Sequence, residues 1–135
     1  MDPRFAMQET NVREVDNLTL DQILGSTEKV VVVEFYMTNC PICQQLVPTI
    51  EELAGELAEE AVFTKVDAEE NLDLALQYGV QVTPTFKLFC GRRFLGEIIG
   101  DTNATVLRNT VRDLIRHRSC GIGKGKVNYE MDGYG

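Results

Sequence analysis

The chain has 135 residues, of which 44% are hydrophobic and 25% are charged, and its formal net charge is −8. This length and composition are typical of one soluble domain that forms its own hydrophobic core. The excess of acidic side chains argues against nucleic acid as the main partner, because phosphate binding requires a basic surface.

Residues 1–15 contain no apolar stretch like that of a secretory signal, and the apolar run VVVVEFYM is too short to span a membrane. We therefore expect a cytoplasmic protein that does not contact membranes. We assign residues 1–13 to a flexible N-terminal lead, 14–118 to the folded domain and 119–135 to a flexible glycine-rich tail.

The first predicted elements follow one another closely. The segment VREVD predicts a short strand, and LTLDQILGS predicts a helix. In this helix Thr19 and Gln22 fit a capping box, and Gly25 is suited to end the helix. The run KVVVVEFYM lacks alternation and is rich in β-branched side chains, which favours a central strand buried on both faces.

A helical pattern runs from Pro41 to about Glu59, with apolar residues three and four positions apart. Pro41 suits the first helical turn, where its missing N–H would have no partner in any case. Pro48 instead removes the hydrogen bond to the Gln44 carbonyl, so we expect a kink in the helix axis.

The rest of the chain alternates again between strand and helix signals. AVFTKVDA predicts a strand and NLDLALQYGV a short helix, whereas TPTFKLFC and RFLGEIIG predict a hairpin that turns at Gly91. NATVLRNTVRDLIRHR predicts a final helix capped by Asn103. This order predicts an α/β fold, with a central mixed sheet of four to five strands flanked by helices on both faces.

The pair Cys40 and Cys43 lies where the central strand passes into the next helix. At a helix N-terminus the unpaired backbone N–H groups and the helix dipole favour the thiolate form of Cys40. Cys43, one turn further into the helix, should be less exposed. It is suited to resolving a mixed disulfide that Cys40 forms.

The motifs VVVEFYMTNCPIC, FTKVDAE and YGVQVTPTFKLF, in this order and spacing, resemble the thioredoxin family over about 14–118. The resemblance implies a thioredoxin fold and a redox-active Cys40–Cys43 pair. It also implies a buried acid at Glu34 with Lys65 as its partner. Pro48 matches the proline within the family's active-site helix.

Two further matches concern the surface that a substrate contacts. The resemblance implies a cis-proline at Pro84, facing the cysteines, and a glycine of the contact surface at Gly100. A cis bond at Pro84 would leave the Thr83 backbone free to pair with a substrate strand beside the disulfide. Glu34 would accept or return the proton of Cys43.

Three residues around the cysteines depart from the family pattern. Asn39 replaces the usual tryptophan, and Pro41 and Ile42 replace the usual Gly-Pro pair. Because the intervening dipeptide influences the reduction potential, we expect these residues to affect that potential and the choice of substrate. Glu34, which replaces the usual Asp, reaches one methylene further toward Cys43.

We therefore expect a thiol–disulfide oxidoreductase that reduces protein disulfides without a cofactor. The resemblance implies a separate reductase as electron donor, and we expect a monomer. Two alternatives stay open at this point. The first is a disulfide oxidase or isomerase, and the second is a thioredoxin-fold module that binds a partner around Thr83 and Gly100 without turnover.

Metal binding is the main alternative to a redox role for the cysteine pair. The metal would be structural zinc or an iron–sulfur cluster shared between subunits. Structural zinc normally requires four ligands. His117 is the only histidine, and Cys90 and Cys120 are isolated in the sequence. We therefore predict no metal site. Cys90 and Cys120 are expected at the pole opposite Cys40 as two unrelated thiols, although a disulfide between them stays open.

Arg108, Arg112 and Arg116 recur at helical spacing and form a basic stripe on an acidic protein. The simplest interpretation is a solvated helix face. Docking of an acidic partner on this stripe, such as an electron donor, stays open.

Overall fold

In the computed structural model, which describes residues 10–117, a five-stranded sheet separates two layers of helices. The strands are β1 (Val12–Glu14), β2 (Val30–Tyr36), β3 (Ala61–Asp67), β4 (Thr85–Cys90) and β5 (Arg93–Ile99). The helices are α1 (Asn17–Ser26), α2 (Pro41–Glu56), α3 (Leu72–Gln77) and α4 (Ala104–Arg116). The predicted α/β architecture and its order of elements are confirmed.

The strands are ordered β1-β3-β2-β4-β5 across the sheet. β1, β3 and β2 are parallel to one another, whereas β4 runs antiparallel to both β2 and β5. The side chains from Val30 to Phe35 are all buried, because β2 has strands on both edges and helices on both faces. The prediction of a central, doubly buried strand is therefore correct.

Two hydrophobic clusters lie on the two faces of the sheet. Successive side chains of a strand point to opposite faces, so β2 contributes Val30 and Val32 to one cluster and Val31, Val33 and Phe35 to the other. The first cluster includes the helices α2 and α4, through Leu46, Ile50, Leu53, Ala54, Leu107 and Val111. The second includes α1 and α3, through Leu20, Ile23, Leu24, Leu74 and Ala75.

The predicted cap of α1 is wrong. The capping box is formed by Asp16 and Thr19, because the Asp16 carboxylate accepts from Thr19 N at 2.9 Å and Asp16 N donates to Thr19 Oγ1 at 2.8 Å. Asp16 has the extended backbone of an N-cap and is a stronger cap than threonine. Gly25 does not end the helix, which continues to Ser26.

The end of α2 also differs from the expectation. This helix ends at Glu56 rather than near Glu59, and a turn follows in which Ala61 N donates to Leu57 O at 2.9 Å.

Two other predictions are confirmed. Gly91 joins β4 to β5 with a φ of 60°, and Asn103 caps α4 by accepting from Val106 N at 3.0 Å.

The predicted division of the chain is tested only in part. Val12 and Arg13, which we assigned to the N-terminal lead, belong to β1. Residues 1–9 and the whole predicted tail, including Cys120, lie outside the described residues, so that division stays a prediction. Among the helices of residues 10–117, none has the length and apolar character needed to cross a membrane.

The arginines of the basic stripe on α4 form ion pairs with acidic side chains of the same chain. Arg108 and Arg112 both reach the Glu56 carboxylate of α2, each with a shortest N–O distance of 2.9 Å. Arg116 pairs with Asp113 on its own helix at 2.8 Å. The two pairs to Glu56 link α2 to α4 on the surface above the first hydrophobic cluster.

We expect Val111→Ala to lower the free energy of unfolding by about 2 kcal/mol, through lost apolar burial and the cavity left behind. Val111 is 0% exposed, whereas Val106 on the same helix is 43% exposed. Val106→Ala is therefore the matched control and should have little effect on stability. Urea unfolding of both variants checks this, and equal midpoints for the two would contradict the packing of α4 described here.

Candidate active site

The two cysteines lie at the junction between β2 and α2. After β2 ends at Tyr36, a turn closes in which Cys40 N donates to Met37 O at 3.3 Å. Cys40 is the N-cap of α2, and Pro41 fills the first helical position. The turn thus places the Cys40 sulfur at the end of the helix where backbone N–H groups lack helical partners.

Cys40 and Cys43 form a disulfide, with their Cα atoms 5.2 Å apart. Cys43 N donates to Cys40 Sγ at 3.2 Å. The same N–H would stabilise a thiolate on Cys40 once the bond is reduced. Cys43 is only 3% exposed and Cys40 is half-buried, so Cys40 is the sulfur that an incoming group reaches first.

The loops before β4 and after β5 lie on the other side of the disulfide. The Thr83–Pro84 peptide bond is cis, and Thr83 O lies 3.7 Å from Cys40 Sγ. Gly100 N donates to Pro84 O at 2.8 Å, and Gly100 adopts a φ of 86°, which favours glycine. The structure therefore brings Thr83, Pro84 and Gly100 together beside Cys40.

The three residues that depart from the family pattern lie on the helix side of the disulfide. Asn39 and Pro41 are exposed, so both are accessible to a partner. Ile42 is half-buried and packs against the first hydrophobic cluster. Val82 and Ile99, which adjoin Thr83 and Gly100 in the chain, are also apolar and exposed.

Glu34 is buried within β2, with 6% of its surface exposed. Burial raises the pKa of Glu34 to about 7, although the positive charge of Lys65 pulls it the other way. No described side chain donates a hydrogen bond to this carboxyl group. The desolvation of the carboxylate therefore prevails over its attraction to Lys65.

Lys65 stands beside Glu34 in the parallel register of β2 and β3, as its assignment as a partner requires. It does not form an ion pair with Glu34, because no carboxylate oxygen of residues 10–117 lies within 4.0 Å of Lys65 Nζ. The ammonium group lies instead over the Tyr36 ring, 5.4 Å from its centroid.

A cavity of about 170 Å³ is lined by both the buried Glu34 and Cys43. Glu34, Lys65 and Cys43 all line it, with an apolar wall formed by Val12, Met37, Val47 and Ile50. This volume is large enough to hold water. No hydrogen bond joins the side chains of Cys43 and Glu34 in the described residues, so a proton would pass between them through a water molecule in this cavity.

Two residues that no sequence motif pointed to, Tyr36 and Glu14, belong to this arrangement. The Tyr36 hydroxyl donates to Glu14 Oε2 at 2.6 Å, and Glu14 stands in register with Lys65 on the opposite side from Glu34. Both residues lie in predicted strands. Only the register between the strands, which the sequence does not specify, shows that they lie next to Lys65 and Glu34.

Residues 10–117 provide no set of ligands for the zinc site considered above. Within that range, no three His, Cys, Asp or Glu side chains are grouped so that they could hold a metal ion. Cys40 and Cys43, which such a site would use, are bonded to each other.

Glu34→Gln should remove a pH dependence of stability. The folded protein binds this proton more tightly than the unfolded chain does, since the pKa rises from 4.5 to about 7 on folding. The stability present at low pH is therefore lost as the pH rises through about 7, by roughly 3 kcal/mol in total. Glutamine is neutral at every pH, so the variant should be more stable than the unmodified protein at pH 8 and similar to it at pH 4.

Urea unfolding at both pH values measures this difference. The control is Glu52→Gln, which removes an exposed acid of α2 and should show no such gain at pH 8. A Glu34→Gln variant that is no more stable than the unmodified protein at pH 8 would contradict the burial of a costly carboxylate.

Comparison with known proteins agrees with this geometry. A family model described as Thioredoxin matches residues 11–113. The chain is 35% identical to Thioredoxin-T of Drosophila melanogaster over 66% of its own length and 56% of that protein's. It is 36% identical to protein disulfide-isomerase A6 of Homo sapiens over 70% of its own length and 23% of that protein's.

Among solved structures, a mutant thioredoxin from Halobacterium salinarum NRC-1 superposes with a TM-score of 0.71 and 32% identity. The match covers 76% of this chain and 89% of that one. Fold, cysteine pair and family model therefore agree. The chain belongs to the thioredoxin family and has the thioredoxin fold.

Proposed function

We propose that this chain is a thiol–disulfide oxidoreductase that reduces disulfides in other proteins. One observation carries the proposal. The half-buried Cys40 sulfur at the start of α2 receives the N–H of Cys43, and Cys43 itself lies buried against the cavity that contains Glu34. This arrangement supplies one accessible nucleophile, one protected resolving thiol and one proton acceptor.

In the first step the Cys40 thiolate of the reduced protein attacks one sulfur of a substrate disulfide. A Cys40–substrate disulfide forms, the substrate S–S bond breaks, and the second substrate sulfur leaves as a thiolate that takes a proton from water. The Cys43 N–H stabilises the attacking thiolate, as it now contacts the oxidised sulfur at 3.2 Å.

In the second step Cys43 loses its proton to the Glu34 carboxylate and attacks the Cys40 sulfur. The Cys40–Cys43 bond forms, and the first substrate sulfur leaves as a thiolate. Two electrons have then passed from the dithiol to the substrate. Because burial raises the pKa of Glu34 to about 7, this carboxyl can both accept and return a proton near neutral pH.

The substrate would approach along the surface formed by Asn39, Pro41, Thr83 and Gly100. The Thr83 carbonyl lies 3.7 Å from Cys40 Sγ. An extended substrate segment that hydrogen-bonds to the Thr83 backbone would therefore bring its own disulfide to Cys40. Ile42, Pro84, Val82 and Ile99 would supply apolar contact beside it.

Each turnover leaves the pair oxidised, so a separate reductase must return two electrons. No other cofactor is needed for this exchange, because the cysteine pair itself carries the electrons. We further propose that this protein is cytoplasmic and monomeric and that it receives its electrons from such a donor.

A disulfide isomerase or oxidase is the second candidate function. The similarity to protein disulfide-isomerase A6 and the Pro41-Ile42 dipeptide both favour it. These classes differ in reduction potential, since an isomerase or oxidase accepts electrons at a higher potential than a reductase does.

We expect the chain to accelerate the reduction of insulin disulfides by dithiothreitol, measured as the turbidity of the released B chain. Cys40→Ser should abolish the acceleration, because no nucleophile then attacks the substrate. Cys43→Ser should abolish turnover but accumulate a mixed disulfide with insulin, because nothing resolves it. Peptide mapping should place that bond at Cys40.

Cys40→Ser and Cys43→Ser are matched controls for each other, since each removes one sulfur atom from the same motif. Failure of Cys43→Ser to form a mixed disulfide through Cys40 would reject the enzyme and favour the partner-binding module. A stoichiometric metal in the purified protein, bound through both cysteines, would reject the redox function as well.

A further inference from the structure

A row of charged side chains crosses three strands beside the cavity. Glu14 of β1 stands in register with Lys65 of β3, which in turn stands in register with Glu34 of β2. In-register residues of parallel strands point to the same face, and neighbouring strands are about 4.8 Å apart. Lys65 therefore lies between two carboxyl groups, the exposed Glu14 and the buried Glu34.

Tyr36 connects the members of this row. It follows Glu34 by two residues on β2, so its side chain lies on the same face. Its hydroxyl donates to Glu14 Oε2 at 2.6 Å, and its ring lies 5.4 Å from the Lys65 ammonium. Burial, and after it the hydrogen bond to Glu14, raise the pKa of Tyr36, so the hydroxyl stays a donor.

These contacts determine the position of the Lys65 ammonium group. A lysine between two carboxylates would ordinarily form an ion pair with one of them. Here the Glu14 carboxylate accepts the tyrosine hydroxyl instead, and the ammonium lies over the face of the ring, a favourable cation–π position. Lys65 makes no ion pair with any carboxylate in the described part of the chain.

We propose that Tyr36 and Glu14 are positioning residues that hold Lys65 over the tyrosine ring, out of ion-pair contact with either Glu14 or Glu34, and so keep Glu34 able to exchange a proton with Cys43. This inference rests on the proposed function for the role of that exchange. Two observations support the inference. The first is the position of Lys65 relative to Tyr36 and Glu14. The second is the cavity, which is lined by Tyr36, Lys65, Glu34 and Cys43.

The groups that face Glu34 come from each element packed around it. β1 contributes Glu14, which raises the pKa of Glu34, and β3 contributes Lys65, which lowers it. Asp67 stands in register with Tyr36 at the end of β3, and α2 contributes Cys43 and Glu51 at the cavity. On β4, the residue in register with Glu34 is the apolar Phe86.

Two conservative substitutions should move the pKa of Glu34 in opposite directions. Glu14→Gln removes a like charge and leaves Lys65 free to turn toward Glu34, so the pKa should fall by roughly one pH unit. Tyr36→Phe keeps the ring but frees the Glu14 carboxylate to attract Lys65, so the pKa should rise. A general loss of packing would not give shifts of opposite sign.

The measurement is a ¹³C NMR titration of the Glu34 carboxyl carbon in the oxidised protein, from pH 4 to pH 10. Glu52→Gln is the control, because it removes an exposed acid next to the cavity-lining Glu51 on the same helix and should leave the titration unchanged. Shifts of equal sign in Glu14→Gln and Tyr36→Phe, or no shift beyond that of the control, would overturn the proposal.

The titration needs no turnover, so it separates this proposal from the proposed function. Insulin reduction by the unmodified protein, together with a Glu34 titration that neither variant alters, would overturn the positioning proposal alone. Absence of insulin reduction would overturn the proposed function, and the titration would still decide whether Tyr36 and Glu14 control the proton of Glu34.

Discussion

Burial of the Glu34 carboxyl in the central strand is the constraint on which the site depends. A carboxylate held away from water without hydrogen bonds is costly, and the attraction of Lys65 offsets this cost only in part. The group responds by holding its proton up to neutral pH. The same burial that weakens the folded state above neutral pH would, in the function we propose, make Glu34 a proton acceptor for Cys43.

The order of the strands explains why distant parts of the chain meet at one edge of the sheet. β2 carries Glu34 and ends shortly before Cys40, so this one strand positions both Glu34 and the cysteine pair. β4 runs antiparallel to β2, so the loop that precedes β4, with Thr83 and Pro84, lies beside the end of β2. β5 returns antiparallel to β4 and brings Gly100 to the same place.

Much of this arrangement could be predicted from the sequence, since the relevant signals are local. The β-branched run of β2, the apolar spacing of α2 and the cysteine pair each depend on neighbours within one element. The thioredoxin resemblance supplied Lys65, Pro84 and Gly100. The cap of α1 was mispredicted because Thr19 fits two overlapping boxes, and the upstream Asp16 is the stronger cap.

Other features depend on distances between strands and could not be predicted. The contact between Tyr36 and Glu14 requires the register of β1 with β3 and of β3 with β2, and no pattern within a single strand specifies these registers. The position of Lys65 over a ring rather than against Glu34 depends on side-chain orientation. The cavity is formed where α2 packs over the neighbouring strands β1, β3 and β2.

We propose that the Cys40–Cys43 pair donates electrons to protein disulfides. The most direct measurement is its redox equilibrium in glutathione buffers, read from the fraction of oxidised protein after acid quenching. A reductase should be half-reduced at about −230 mV or below, so that it gives electrons to most other disulfides. A midpoint between about −180 and −120 mV, the range of isomerases and oxidases, would contradict the account.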